Sequence, residues 1–190
     1  MNQPVVLDLE TQHTFQEVGF DPRKLKISVV GIYNYATSDY QIFREHELNR
    51  LFPILEHAQT IIGFNIRKFD LAVLSPYYVG DIRQFHTLDL LEEVEKAMGF
   101  RVALDDVARA TLGEKKNGHG FLAIDYFRNG EWEKLAKYCL HDVEITKKLY
   151  EFVQKEGYLY FLTAFGKKQI PITLSSQKRN DTSVSLSLPF

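Results

Sequence analysis

Short runs of apolar and β-branched residues predict three β-strands near the start of the chain. The runs cover residues 5–9, 26–35 and 39–44. Their length and composition are typical of strands rather than helices. Residues 36–38 leave room for only a tight turn between the second and third runs, and residues 11–25 predict a loop between the first and second. We therefore expect three strands in meander order.

The rest of the chain alternates between helical and strand-like patterns. Residues 45–58 place apolar side chains at helical spacing, and residues 131–154 carry the longest such pattern, which Gly157 closes as a C-terminal cap. Apolar runs at residues 60–64 and 85–88 predict a fourth and a fifth strand. The remaining predictions are helices at 69–74, 90–98 and 104–112, a loop at 113–120, and a hairpin formed by 158–163 and 169–174.

This order of elements predicts an α/β fold in which helices flank a mixed sheet on both sides. Strands come first, strand–helix alternation follows, and a long helix ends the pattern, an order that fits many folds. We expect a main domain over residues 1–156, a C-terminal hairpin at 157–175 packed on it, and a Ser-rich tail at 176–190.

Composition narrows the class of protein. Hydrophobic residues make up 45% of the 190 residues, which is enough for a buried core and excludes a disordered chain. The formal net charge of −2 argues against a large basic surface for nucleic acid, although an acidic metal site would lower the charge of a nuclease. The single cysteine, Cys139, excludes a disulfide framework and predicts a cytoplasmic location. From the sequence we expect neither a signal peptide nor a membrane span.

Two acidic residues, Asp8 and Glu10, stand at the end of the first predicted strand. Alternate side chains of a strand face the same way, so the two carboxylates lie side by side. Like charges this close destabilise a fold unless a cation joins them, and their hard oxygen ligands suit Mg²⁺ or Mn²⁺. A solvated strand end is the alternative, because about one Asp-x-Glu is expected by chance in such a chain. The position after the first apolar strand favours the metal site.

Two further acids stand where they could join the same site. Asp70 opens a predicted helix shortly after the fourth strand ends at Asn65, and a helix N-cap is its alternative role. Asp142 follows Tyr138 by one helical turn on the longest predicted helix, so the two side chains share a face that is otherwise apolar. A buried carboxylate there needs a partner, either a metal ion shared with the strand acids or a Lys or Arg elsewhere.

The three segments together resemble the exonuclease motifs of the DnaQ-like, RNase H-like superfamily. In chain order they are Asp8-Leu9-Glu10, Gly63-Phe64-Asn65-Ile66-Arg67-Lys68-Phe69-Asp70 and Tyr138-Cys139-Leu140-His141-Asp142. The second and third are most similar to segments in the proofreading domains of family-B DNA polymerases, and the resemblance spans about residues 4–155. Tyr138 indicates the tyrosine (DEDDy) subclass, because Lys137 stands where the histidine subclass has its histidine. We expect a stand-alone relative of those domains.

The resemblance implies an RNase H-like mixed five-stranded sheet and a metal-dependent 3′–5′ exonuclease that uses two Mg²⁺ or Mn²⁺ ions. Asp8 would bridge both ions. Glu10 and Asp142 would complete the shell of one ion, and Asp70 would hold the second. Tyr138 would orient the attacking water, and the products would be nucleoside 5′-monophosphates.

The expected substrate is the 3′ end of a nucleic acid, with single-stranded DNA favoured. By the same resemblance, Asn65 and Phe69 are predicted to contact the terminal nucleotides, although Phe69 could equally be a core residue. Thr11 and Phe64 are further predicted substrate contacts. An exoribonuclease, an RNase H-like endonuclease and a catalytically silent nucleic-acid-binding module stay open as alternatives. Residues 183–190 loosely resemble motifs that bind bacterial sliding clamps, but a plain tail or an edge strand is the simpler interpretation.

Overall fold

A mixed five-stranded sheet lies at the centre of the protein, as the sequence predicts. The computed structural model describes residues 2–114 and 121–174. The strands are β1 (Val5–Thr11), β2 (Ile27–Asn34), β3 (Asp39–Arg44), β4 (Ile61–Gly63) and β5 (Thr87–Asp89). Their spatial order is β3-β2-β1-β4-β5, with β2 antiparallel to β1 and β3, and β4 parallel to β1 and β5. Because β1, β4 and β5 run in the same direction, their C-terminal ends meet at one edge of the sheet.

Helices cover both faces of this sheet. They are α1 (Leu48–Glu56), α2 (Asp70–Leu74), α3 (Leu90–Met98), α4 (Leu104–Leu112), α5 (Phe121–Arg128) and α6 (Trp132–Glu156). On one face, Leu7 and Leu9 pack in a core with α1 and α2. On the other face, Val6 packs in a core with α3, α4 and α6. Because side chains alternate along β1, Asp8 and Glu10 continue the face that Val6 shares with α6.

Gly31 lets α6 pack close to the sheet beside Asp8. The pairing of β1 with β2 brings Gly31 directly opposite Asp8. A Cβ atom at Gly31 would lie 2.9 Å from Sγ of Cys139 and 3.1 Å from a methyl carbon of Val143, both on α6. A larger residue would therefore push the helix away from the sheet. This close approach brings Asp142, which lies between those two residues along α6, towards the acids of β1.

The boundaries of several elements differ from the sequence-based expectation. The helix expected at residues 45–58 begins with a 3₁₀ helix, Glu45–Glu47, before α1. The fifth strand starts at Thr87 rather than at residue 85, because a 3₁₀ helix, Ile82–Gln84, immediately precedes this segment. Helix α5 occupies a segment for which the sequence pattern predicts no element.

A hairpin follows α6, as the sequence predicts. Its strands, β6 (Tyr158–Thr163) and β7 (Gly166–Pro171), pair antiparallel, so the second strand starts at Gly166 rather than at residue 169. Leu159, Ile170 and Ile172 are buried in the same core as α4 and α6. Gly157 ends α6 with a φ of 78°, the left-handed conformation that glycine adopts readily.

Part of the sequence-based prediction lies outside the described residues. It comprises most of the loop at 113–120 and the tail at 176–190, with the clamp motif expected at 183–190. The clamp interaction therefore stays a prediction. The cytoplasmic location also stays a prediction. Within residues 2–114 and 121–174, none of the helices combines the length and the hydrophobicity needed to span a membrane.

Candidate metal centre

Three carboxylates from two elements meet at the C-terminal end of β1. Asp8, Glu10 and Asp142 each place a carboxylate oxygen within 4.8 Å of the others. Asp8 and Glu10 lie on β1, whereas Asp142 lies on α6 and is only 2% exposed. The structure thus brings together the strand acids and the helix acid that the sequence predicts for one site.

Cys139 lies against this cluster from the side of α6. Its Sγ donates a hydrogen bond to the carbonyl oxygen of Asp8 over 3.5 Å. Burial raises the pKa of the Cys139 thiol well above its usual value, and the negative charges of Asp8, Glu10 and Asp142 raise it further. The thiol therefore stays protonated, and its hydrogen bond helps to fix the backbone of β1 against α6.

Asp70 lies outside this group of three and contacts the backbone of β1 between its two acids. It is the first residue of α2, is 2% exposed, and accepts a hydrogen bond at Oδ1 from the backbone N–H of Leu9 over 3.1 Å. Because β4 ends at Gly63, Asp70 supplies the acceptor that a longer strand would have provided. The N-cap alternative is wrong, because Phe69 is the residue before the helix and the Asp70 carboxylate binds Leu9 instead.

Burial also controls the charge of Asp70. Loss of water raises the pKa of Asp70 to about 8, and the negative charge of Asp89 adds to the increase. Asp89, at the end of β5, accepts hydrogen bonds from the backbone N–H groups of Asn65, Arg67 and Leu91. Asp89 thereby holds the segment between β4 and α2 in place, where Asn65 adopts a left-handed φ of 69°.

The donor set of the cluster fits a hard divalent cation. Three carboxylates at this separation repel one another, and partial burial strengthens the repulsion. A bound cation would offset it, and carboxylate oxygens are the ligands that Mg²⁺ and Mn²⁺ prefer. Asp8, Glu10 and Asp142 therefore form a candidate metal site.

A cavity of about 640 Å³ opens beside the three acids. Asp8, Glu10 and Asp142 lie on its wall, and the aromatic part of its wall comprises Phe15, Phe20, Phe69 and Phe121. The side chains of Phe20 and Phe121 are 70% and 69% exposed. The cavity thus combines oxygen ligands for a cation with accessible flat surfaces for a ring.

An ion pair joins two walls of this cavity. Glu17, in the segment between β1 and β2, pairs with Arg128 at the end of α5 over 2.5 Å. Hydrogen bonds that Glu17 accepts from the backbone N–H and the hydroxyl of Thr14 help to hold the pKa of Glu17 at about 2. Phe15 of the same segment packs on Phe69 with ring centroids 5.6 Å apart. The predicted loop is therefore fixed between α5 and the start of α2.

Tyr138 shares the buried side of α6 with Asp142 but lies beneath α5. It is 6% exposed, and its ring packs against Tyr126 with centroids 6.5 Å apart. Ala123 of α5 belongs to the same apolar cluster. Tyr138 is not among the residues that line the 640 Å³ cavity. Its role towards the attacking water stays a prediction.

The four predicted nucleotide contacts fall into two groups. Thr11 and Phe69 line the cavity. Phe64 packs against the core that contains α3, α4 and α6. The side-chain oxygen of Asn65 accepts a hydrogen bond from Arg101 over 2.5 Å. Neither Phe64 nor Asn65 lines the cavity, and contact with a substrate stays a prediction for all four.

Several residues that shape the site are absent from the sequence-based prediction. Ile124 lines the cavity from α5, and its spacing from Phe121 is a helical signal that could have revealed this element. Asp89 followed by Glu92 before an apolar run is a signature of a helix start. Arg101 acts through a distant partner, Asn65, and no local pattern points to it.

Comparison with protein families decides the class of this fold. The profile of the RNase H superfamily matches residues 5–154. The chain belongs to the RNase H superfamily. The matched range contains all three acidic segments, and the predicted RNase H-like α/β fold is confirmed. A comparison with curated proteins finds no match for this RNase H-like protein.

A family-B DNA polymerase from the hyperthermophilic archaeon Pyrobaculum calidifontis has a similar structure. The TM-score is 0.61, and the sequences are 18% identical over 81% of this chain. The similar region covers 25% of the polymerase chain, so the RNase H-like protein spans about a quarter of that molecule. At this level of identity, the similarity shows a shared fold.

Proposed function

We propose that this RNase H-like protein is a metal-dependent 3′–5′ exonuclease of the tyrosine (DEDDy) subclass that shortens single-stranded DNA. The observation that carries the proposal is the cluster of Asp8, Glu10 and Asp142 on the wall of an aromatic cavity. Two further observations support it: the motifs resemble those of proofreading domains, and the fold is similar to that of a family-B polymerase.

The acidic residues would hold two divalent ions, Mg²⁺ or Mn²⁺. Asp8, Glu10 and Asp142 would hold one ion, and Asp8 would share the second with Asp70. The backbone N–H of Leu9 donates to Oδ1 of Asp70 and holds this carboxylate next to β1. Because the pKa of Asp70 is raised to about 8, this residue is largely protonated near neutral pH in the metal-free protein. A nearby positive charge favours the carboxylate, so metal binding and proton release are coupled.

The chemistry is the hydrolysis of a phosphodiester bond by water. When bound, divalent ions stabilise the charge that develops on the attacking and leaving oxygens and lower the pKa of the attacking water. Tyr138, one turn before Asp142 on α6, would orient that water through its hydroxyl group. Thr11 and Phe69, on the cavity wall, would hold the terminal nucleotide. The products would be a nucleoside 5′-monophosphate and a strand shortened by one nucleotide.

The cavity walls favour an unpaired strand end over a duplex. Phe15, Phe20 and Phe121 present aromatic surface beside the acids. An unpaired base stacks on such rings with a gain of about 1–3 kcal/mol, whereas a base inside a duplex is already stacked and paired. The ion pair between Glu17 and Arg128 joins two of these walls.

Labelled oligonucleotides test the function and its alternatives. With Mn²⁺, single-stranded DNA labelled at the 5′ end should shorten stepwise, and DNA labelled at the 3′ end should release a labelled nucleoside 5′-monophosphate first. RNA of the same sequence tests the exoribonuclease alternative, and a circular single strand tests the endonuclease alternative. Cleavage of the circle would contradict the proposal.

A pair of matched variants completes this experiment. Asp8→Asn removes one ligand without changing the size of the side chain and should abolish hydrolysis. Asp106→Asn removes an exposed carboxylate of α4 that pairs with Arg109, and it should cleave DNA as the parent protein does. Undiminished hydrolysis by Asp8→Asn would overturn the proposed role of the cluster. A parent protein that binds the oligonucleotide but never shortens it would instead be a silent binding module.

A further inference from the structure

A second cavity, of about 620 Å³, lies beside α2 and is lined by three arginines. Arg23 comes from the segment between β1 and β2, Arg67 from the segment before α2, and Arg83 from the segment before β5. We call it the guanidinium groove. Arginine side chains from three separate parts of the chain converge there, although the formal net charge of the protein is −2.

Two of the arginines are held by identical Asp-x-Arg turns. Nε and Nη2 of Arg23 donate to the two carboxylate oxygens of Asp21 over 3.0 and 3.1 Å, and Asp21 also accepts the backbone N–H of Arg23. Arg83 and Asp81 repeat the arrangement, with both side-chain distances 2.9 Å. Each carboxylate therefore fixes its guanidinium and leaves the Nη1 group available as a donor. The side chains of Arg23 and Arg83 are 69% and 87% exposed, so a ligand can reach them.

Arg67 forms the fixed inner wall of the guanidinium groove. Its Nε donates to the hydroxyl of Thr87 over 2.8 Å, its Nη2 donates to the carbonyl oxygen of Thr87 over 2.6 Å, and its Nη1 pairs with Glu92. Only 24% of its side chain is exposed. The hydrogen bonds of Arg67 thus stabilise the fold, whereas Arg23 and Arg83 are accessible to a ligand.

The guanidinium groove and the cavity at the metal centre are lined by neighbouring residues of the same two segments. Leu25 and Phe69 line the acidic cavity, and Arg23 and Leu71, each two positions away in sequence, line the groove. The same two segments therefore form walls of both cavities. Leu25 and Leu71 are both buried in the core where these segments pack together, so a strand would reach the groove over the outside of this contact.

The local charge matches a polyanion. Lys24 and Lys68 are exposed next to Arg23 and Arg67 in sequence, and neither lysine pairs with a carboxylate within residues 2–114 and 121–174. Because each of the three arginines pairs with a carboxylate, the groove itself offers N–H donors, and the surplus positive charge comes from the two lysines. Guanidinium groups bind phosphate oxygens with geometric preference, because their N–H donors lie in one plane.

We propose that the guanidinium groove binds the phosphodiester backbone of the nucleic-acid strand whose 3′ end lies at the metal centre. The inference rests on the proposed function and extends it: Arg23 and Arg83 grip internal phosphates, upstream of the scissile bond. Base identity plays no part in these contacts, so the groove adds affinity for long strands without sequence preference.

The test compares two double variants of the full chain that lose the same charge. Arg23→Gln with Arg83→Gln removes the groove arginines but keeps the backbone bonds of Asp21 and Asp81. Arg50→Gln with Arg109→Gln is the matched control, because these exposed arginines also pair with nearby acids, Glu47 and Asp106. Thermal unfolding followed by circular dichroism establishes that both double variants are folded.

Binding of a single-stranded oligonucleotide is measured by fluorescence anisotropy in EDTA, so that no hydrolysis occurs. The groove variant should bind on the order of tenfold more weakly than the parent. Its plot of log affinity against log salt concentration should lose a slope of about 0.7 for each phosphate contact removed. The control variant should bind as tightly as the parent. Equal losses of affinity in both double variants would contradict phosphate binding in the groove.

Hydrolysis separates this inference from the proposed function. The p-nitrophenyl ester of thymidine 5′-monophosphate contains one phosphodiester and reaches only the metal centre. The groove variant should hydrolyse this ester at the parental rate but should show a raised KM for the long oligonucleotide. An unchanged KM would contradict phosphate binding in the groove, and it would leave the proposed exonuclease activity unaffected. Failure of the parent protein to hydrolyse either substrate would count against the proposed function. The binding measurement would still show whether the groove binds the strand.

Discussion

The carboxylate of Asp70 accepts the backbone N–H of Leu9, the residue between the two acids of β1, over 3.1 Å. Asp70 therefore fixes the strand that carries Asp8 and Glu10. Its own burial raises its pKa to about 8. One residue thus links the geometry of the metal centre to its charge.

This linkage predicts that the metal-free protein loses stability as the pH rises. In an unfolded chain the pKa of Asp is about 3.9, whereas burial raises the pKa of folded Asp70 to about 8. Between these values the folded state binds more protons than the unfolded state, so the free energy of unfolding falls with increasing pH. Melting temperatures measured in EDTA across this range should decline.

Asp70→Asn is the control for that decline. The amide does not titrate, so the variant should show a flatter dependence of melting temperature on pH, with an advantage over the parent that grows with pH and levels off above about pH 8. Added Mg²⁺ should stabilise the parent most at high pH, where the carboxylate is already ionised. Parallel curves for the parent and the variant in EDTA would show that Asp70 is not the titrating group.

Gly31→Ala should separate α6 from β1. The added Cβ would lie 2.9 Å from Sγ of Cys139, so the helix must shift outward. We expect a loss of about 1–3 kcal/mol in the free energy of unfolding, which is typical of overpacking, together with weaker Mn²⁺ binding. Urea unfolding and calorimetry measure the two effects. Adding Cys139→Ala to the same chain makes room and should recover part of the lost stability, whereas purely additive losses would exclude this contact as the cause.

Tyr138→Phe isolates the phenol hydroxyl from the aromatic ring. The ring contact with Tyr126 can remain, so the fold should be retained. If the hydroxyl orients the attacking water, kcat should fall about 10²-fold while Mn²⁺ affinity and KM stay close to parental values. Tyr126→Phe is the matched control on α5, and an equal fall in kcat for both variants would exclude a specific role for Tyr138.

Phe15→Ala tests the aromatic wall of the acidic cavity. Phe15 packs on Phe69 and lines the cavity, so its loss should remove a surface on which a terminal base stacks. Stacking contributes about 1–3 kcal/mol per base, which corresponds to a rise in KM of roughly fivefold to 150-fold. Phe165→Ala provides the control, because Phe165 is fully exposed between β6 and β7. Steady-state kinetics on single-stranded DNA would contradict the stacking role if both variants raise KM equally.

The sequence predicts much of this fold because hydrophobic periodicity is a local signal. β1 to β4 and α6 each carry a continuous pattern, and the core residues on β1 alternate between the two faces as expected. The meeting of Asp8, Glu10 and Asp142 was also predictable, since a carboxylate on an apolar face requires a partner.

Other features depend on distant contacts that no local pattern contains. The position of Asp70 beside β1 depends on the early end of β4, which leaves Leu9 to find another acceptor. The cavity wall depends on the pair of Glu17 with Arg128, two residues far apart in the chain. The amphipathic pattern of α5 is short and follows a polar stretch of sequence, which explains why the pattern alone did not predict it.

Calorimetric titration with Mn²⁺ tests the central claim most directly. The parent protein should bind two Mn²⁺ ions and release protons near neutral pH, because Asp70 must ionise. Asp142→Asn should lose the ion held by the three-carboxylate cluster, whereas Asp106→Asn should bind as the parent does. Identical titration curves for the parent protein and Asp142→Asn would contradict the assignment of Asp8, Glu10 and Asp142 as one metal centre.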